Sequence, residues 1–209
     1  MSAPAAHFET PQNRREAAEL GIWVFLATEL MFFGPLFLAY AAARLSYPEG
    51  FAEASRHTDV VIGTANTAVL LTSSLFMALA SRSAQLGRRR AASLLLFITA
   101  LLGTAFLVLK AMEYFDEWQQ HLVPWLDFRF EPGLAHPASL FYLLYFAMTG
   151  LHAIHLTIGI VLVLVFAWRL RSHSPASMRL QIENGGLYWH FVDAMWVFLY
   201  PLLYLVERA

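Results

Sequence analysis

The chain has 209 residues, of which 58% are hydrophobic and 14% charged, and its formal net charge is −1. So small a charge, without long runs of one sign, excludes an electrostatic case for a nucleic-acid partner. The lack of cysteine excludes disulfide frameworks, thiolate metal sites and cysteine nucleophiles together.

In chain order, residues 1–15 are polar, contain Pro4 and Pro11, and lack the apolar core of a signal peptide. They are expected to form a soluble leader, with residues 16–209 as one membrane domain. A first span is expected over 16–43, with Glu29 near its middle and Pro35 bending its outer third. A polar connection, 44–59, leads to a second span over 60–80. There Gly63, Asn66, Leu70, Ser73 and Met77 recur at helical spacing, a face suited to close helix packing. A third span, 91–115, carries Lys110 and Glu113 toward its outer end. They read as a helix-end ion pair, with the lysine able to reach the interface.

The loop from Asp116 to His136 mixes acids with Trp118 and Trp125, ordinary interfacial anchors. A fourth span, 137–168, holds His152 and His155. The last, 185–207, opens GGLYWHFVDAMWVFLYPLLYL and places His190 and Asp193 three positions apart, on one helix face. Trp189 and Trp196 are seven apart and share a stripe, and Pro201 predicts a bend. The expected fold is therefore all-α, a polytopic five-helix transmembrane bundle. Orientation follows from the cations. Arg14, Arg15, Arg82, Arg88, Arg89, Arg90, Arg169, Arg171 and Arg179 fall on one side; Arg44, Arg56, Arg129 and Arg208 fall on the other, with Lys110 near that boundary. The excess puts the N-terminus in the cytoplasm and the C-terminus outside.

Glu29, His152, His155 and Asp193 fall near mid-depth, with His190 closer to the cytoplasmic side. Each is expensive to keep in lipid, so each is a candidate for function. A site of two histidines and two carboxylates for a metal, a bis-histidine haem, and a proton-coupled transporter all compete here. So does a set of polar pairs that only fixes helix packing, histidine and carboxylate satisfying one another. Residue physics favours that last reading. No internal repeat supports an inverted-repeat transporter.

Four segments, ENGGLYWHFVDAMWVFLYPLLYL, FAMTGLHAIHLTIG, LGIWVFLATELMFFG and KAMEYF, together resemble the subunit III family of haem–copper respiratory oxidases. ENGGLYWHFVDAMWVFLYPLLYL is similar to the family's terminal helix, FAMTGLHAIHLTIG to its T-G-x-H-x-x-H-x-x-x-G segment, and LGIWVFLATELMFFG to its first core helix. KAMEYF fits the end of a later helix. The resemblance runs from about residue 16 to 207 and matches the five-helix form, which lacks the two leading helices of longer members. It implies a non-catalytic subunit that braces the catalytic subunit I beside subunit II in the bacterial cytoplasmic membrane. It also implies bound structural phospholipid, with haem and copper held by the partner and no metal or catalytic residue here. Glu29 matches the family's membrane carboxylate; His152, His155, His190 and Asp193 match its packing polar core. The electron donor, cytochrome c or quinol, stays open. So does a related reading, the five-helix accessory subunit of a nitric oxide reductase.

Overall fold

The structure, a computed structural model, describes residues 11–172 and 174–205. Most of the expected leader, residues 1–10, lies outside the described residues, as does Arg208 from the orientation count. The described residues form six helices: α1 (Pro11–Ser46), α2 (Pro48–Arg56), α3 (Val60–Gln85), α4 (Arg89–Gln119), α5 (Ala135–Arg169) and α6 (Pro175–Tyr204). No strand occurs among the described residues.

Local chemistry sets the ends. The Asp59 carboxylate accepts from the backbone N–H of Val61 at 2.8 Å and of Ile62 at 3.1 Å, capping the start of α3. Ser174 caps α6 through the Ser177 N–H, and Pro175 fills the first helical position, where its missing donor costs nothing. Gly87, at φ +71, turns the chain between α3 and α4, a conformation that side chains with a Cβ rarely adopt. Helices overrun the apolar stretches because their hydrogen bonding continues past the apolar depth. α6 starts ten positions before Gly185 for that reason. α1 and α6 also continue through Pro35 and Pro201.

α3, α4, α5 and α6 form the central bundle, α3 packing on both α4 and α6, and α5 on the other side of both. Trp189 sits at its middle. A Cβ on Gly103 of α4 would meet Trp189 Cη2 at 2.8 Å, and one on Gly159 of α5 would meet the same indole at 3.2 Å. Both helices need a bare backbone there to admit the ring.

α2 occupies what the sequence presents as a polar connection. Its nine residues bury Phe51, Ala54 and Ser55 on one face, over the ends of α5 and α6. Phe51 packs edge-on to Phe141 at 5.6 Å and to Tyr40 at 5.4 Å. The last carbonyls of α6, orphaned by helix geometry, are taken there: Tyr40 donates to Leu202 O and Ser55 Oγ to Leu203 O at 2.9 Å.

Among the described residues, four helices are long and apolar enough to cross a membrane: 15–46 of α1, then α3, α4 and α5. α6, 30 residues long, is not among those four. Its Trp189, Trp196, Asp193 and Tyr204 are buried within the protein, so this helix is built to face its neighbours more than lipid.

Candidate functional site

The polar residues inside the bundle fall in three separate places. The densest is at the end capped by α2. Lys110 Nζ lies 3.0 Å from Glu113 Oε2 and donates to the hydroxyls of Tyr145 and Tyr204, each at 2.6 Å. Those hydroxyls in turn donate to Glu113 Oε1, at 2.8 and 2.6 Å. An ammonium has three N–H donors, and all three are spent. Lys110 and Glu113 side chains are each 3% exposed, so the lysine points into the bundle and does not reach out to an interface. Its ammonium also lies 4.4 Å from the centre of the Tyr145 ring, a cation–π contact. The knot ties α4, α5 and α6 together. Glu117, one turn on, is buried beside it with neither oxygen hydrogen-bonded.

The second place joins α1 to α5. His155 Nε2 is 2.7 Å from Glu29 Oε2, and His155 Nδ1 is 2.8 Å from the Leu151 carbonyl. A carbonyl only accepts, so Nδ1 carries a hydrogen. One further proton then lies between Nε2 and the carboxyl oxygen. The pair is either imidazolium with carboxylate or imidazole with carboxylic acid, and it is neutral as a unit in both forms. Phe33 covers it from α1, 5.5 Å from the imidazole. The pair is closed to a third partner on the imidazole side.

The third place runs along α3 and α6. His190 Nδ1 is 2.6 Å from Ser74 Oγ, while Asp193, on the same helix face, has neither oxygen hydrogen-bonded. Trp189 Nε1 donates to Ser73 Oγ at 3.1 Å and Trp196 Nε1 to Thr67 Oγ1 at 3.0 Å. His152 is fully buried between Phe106 and Trp196, ring centres 5.5 and 5.1 Å away, with both nitrogens unpaired. His152 and His155, three apart in sequence, thus face different neighbours. The five mid-depth residues do not converge, and of their expected histidine–carboxylate pairings the structure forms Glu29–His155. Among the described residues no group of three or more His, Asp or Glu side chains is placed to hold a metal ion.

Sequence reasoning missed Tyr145, Tyr204 and Glu117. A usable signal existed for Glu117 alone, which follows Glu113 by four positions and so shares its face. The tyrosines stand 35 and 94 positions from Lys110, beyond any local pattern.

The segments that carry these groups are those that match known proteins. The family model for cytochrome c oxidase subunit III matches residues 9–207. A cytochrome c oxidase subunit 3 of Corynebacterium diphtheriae is 33% identical over 206 residues, spanning 93% of this chain and 91% of that protein. One of Thermostichus vulcanus is 30% identical over 191 residues, 90% of this chain and 87% of that protein. A heme-copper oxidase subunit I+III of Aeropyrum pernix is 31% identical over 216 residues, taking in 96% of this chain and only 24% of that longer protein. With α1, α3, α4, α5 and α6 all inside the matched range, this chain belongs to the cytochrome c oxidase subunit III family.

Proposed function

We propose that this chain is the non-catalytic subunit III of a bacterial haem–copper terminal oxidase. It packs on subunit I beside subunit II in the cytoplasmic membrane, holds structural phospholipid, and prolongs the working life of the complex. The observation that carries the partnership is the subunit I+III protein of Aeropyrum pernix, in which a region similar to nearly all of this chain is part of a longer oxidase polypeptide. The non-catalytic role is supported by how the polar groups are used: Lys110 spends its donors on this chain's own side chains, and Glu29 is paired with His155.

In this proposal α6 is the fifth span, and α2 lies across the outer end without crossing. The Arg82, Arg89, Arg90, Arg169 and Arg179 end of the bundle faces the cytoplasm, by the excess of arginine there. The test is purification through a tag on this chain in mild detergent. Subunits I and II should co-purify with stoichiometric haem. Recovery of this chain alone, or with a nitric oxide reductase catalytic subunit, would overturn the assignment. In complex prepared without this chain, the initial oxygen-reduction rate should persist while the half-life under turnover shortens.

A further inference from the structure

The end of the bundle capped by α2 holds a second acidic feature beside the lysine knot. A pocket of about 370 Å³ opens there between the start of α3 and the last turns of α4. Glu113 and Glu117 line it, with Asp59, Asp116 and Gln120 exposed around its mouth. The described residues that line it include no lysine and no arginine. Its carboxylates are used differently. Glu113 takes the Lys110 ammonium and two tyrosine hydroxyls, and Asp59 spends Oδ1 on the first turn of α3. Glu117 is 5% exposed, neither of its oxygens has a hydrogen-bond partner, and the donors of Lys110 are already taken. One ammonium thus stands against two buried carboxylates, and the second keeps its acceptors unused.

The backbone adds to the same sign of charge. α2 and α4 both end at the pocket, where His57 and Gln120 are their C-caps, and a helix C-terminus carries partial negative charge. The opposite partial charge, at the start of α3, is already met by Asp59. Protonation of Glu117 would cancel its charge and still leave a buried O–H without an acceptor among the described residues. A cation from outside the chain satisfies both needs. A metal ion requires ligands that converge, and among the described residues no three His, Asp or Glu side chains are so placed. A cation that brings N–H donors has no such requirement, because each donor can reach a separate acceptor. Guanidinium suits Glu117 best, since its planar fork engages both oxygens of one carboxylate at once.

We propose that this pocket binds a guanidinium group, with its fork on the Glu117 carboxylate and Asp116 adding charge at the mouth. Two sources offer that chemistry: an arginine side chain of a partner subunit, or a small guanidinium compound in solution. The pocket is built by this chain alone, so the site goes beyond the subunit III assignment and does not rest on it.

The experiment uses the full chain in mild detergent with methylguanidinium as the probe, read by magnetic saturation transfer from the protein to the probe's methyl protons. Titration should give a saturable signal. Glu117→Gln should weaken binding roughly tenfold, the worth of a charge-assisted hydrogen bond, with helical content by circular dichroism unchanged. Glu29→Gln, at the remote His155 pair, should leave the titration in place. Tetramethylammonium, which has the same charge and no N–H, should not displace the probe. The assembled complex separates the two sources. Loss of the probe signal there, with a lower thermal midpoint for Glu117→Gln, would identify an arginine of a partner subunit as the occupant; a persistent signal would identify a guanidinium compound in solution. Equal binding by the natural chain and Glu117→Gln would assign the signal to other residues and overturn the site. Displacement by tetramethylammonium would make it a site for charge alone, and displacement by calcium a metal site; either would overturn the guanidinium assignment. Absence of a saturable signal in the natural chain would overturn the proposal outright and leave the subunit III assignment, tested by co-purification, untouched.

Discussion

α1 and α5 are nearly equal in length, 36 and 35 residues, and both are strongly apolar. Yet 11% of the apolar stretch of α1 is buried within the protein, against 39% for α5. α5 buries Thr149, His152, Leu156, Gly159, Ile160 and Val163, a continuous stripe at helical spacing. α1 leaves Trp23, Met31, Phe32 and Leu38 largely exposed and is fastened at points: Glu29 to His155, Tyr40 to the end of α6. In lipid, apolar character drives insertion of both helices and association of neither. Association comes from close packing and polar contacts, which α5 has along its length and α1 has in places. The inner bundle is therefore a unit, and α1 is an attached helix whose outer face is left for lipid or a partner.

The largest expected effect is in the inner unit. Lys110→Met should remove the ammonium and strand Glu113 as a buried charge, at a cost of roughly 3–5 kcal/mol. The measurement is the loss of thermal midpoint and yield of the purified complex. Lys110→Met combined with Glu113→Leu should recover much of that loss, since an apolar pair of similar volume leaves no orphan charge. A double-variant loss equal to the sum of the losses from Lys110→Met and Glu113→Leu alone would mean that the two side chains are not coupled.

A matched pair of glycine substitutions separates the two regions next. Gly103→Ala should cost about 1–3 kcal/mol, because the new Cβ would stand 2.8 Å from Trp189 in a packed core. Gly21→Ala in α1 meets nothing within 4 Å, and alanine is the better helix former by just under about 1 kcal/mol. It should be neutral or slightly stabilising in a thermal melt of the same complex. Similar losses from both would erase the distinction between bundle and attached helix.

How much of this was legible follows from the length of each signal. Spans of about 20 apolar residues announce themselves, and α1, α3, α4 and α5 lie where the apolar stretches do. α2 did not, because nine residues give an amphipathic face too little length to stand out among Glu49, Glu53 and Arg56. The early start of α6 was hidden by its polar first turns, although Ser174-Pro175 is a serviceable start signal. Within the site, Glu29 and Asp193 were visible singly, and Lys110 with Glu113 as a pair three positions apart, because charge in lipid is costly. Partners on other helices were not. Glu29 and His155 are 126 positions apart, and only the packing of α1 on α5 makes them neighbours.

The smallest effect tests the fastening of α1 and the bracing role at once. His155 Nδ1 is committed to the Leu151 carbonyl, so Nε2 can accept when the ring is neutral. Glu29→Gln supplies an amide N–H to that nitrogen in nearly the same shape, and should change stability by less than about 1 kcal/mol. Glu29→Leu leaves Nε2 without a partner. The two side chains are 12% and 17% exposed, at a depth where that exposure meets lipid and not water, so nothing relieves the loss and the cost should fall within about 1–3 kcal/mol. If Glu29 only holds α1 in place, both variants should keep the initial oxygen-reduction rate and the proton-pumping ratio of an assembled complex. The leucine variant alone should then shorten the half-life under turnover. Glutamine cannot carry a proton, so immediate loss of pumping in a fully assembled Glu29→Gln complex would make the carboxyl a relay and remove bracing as its role.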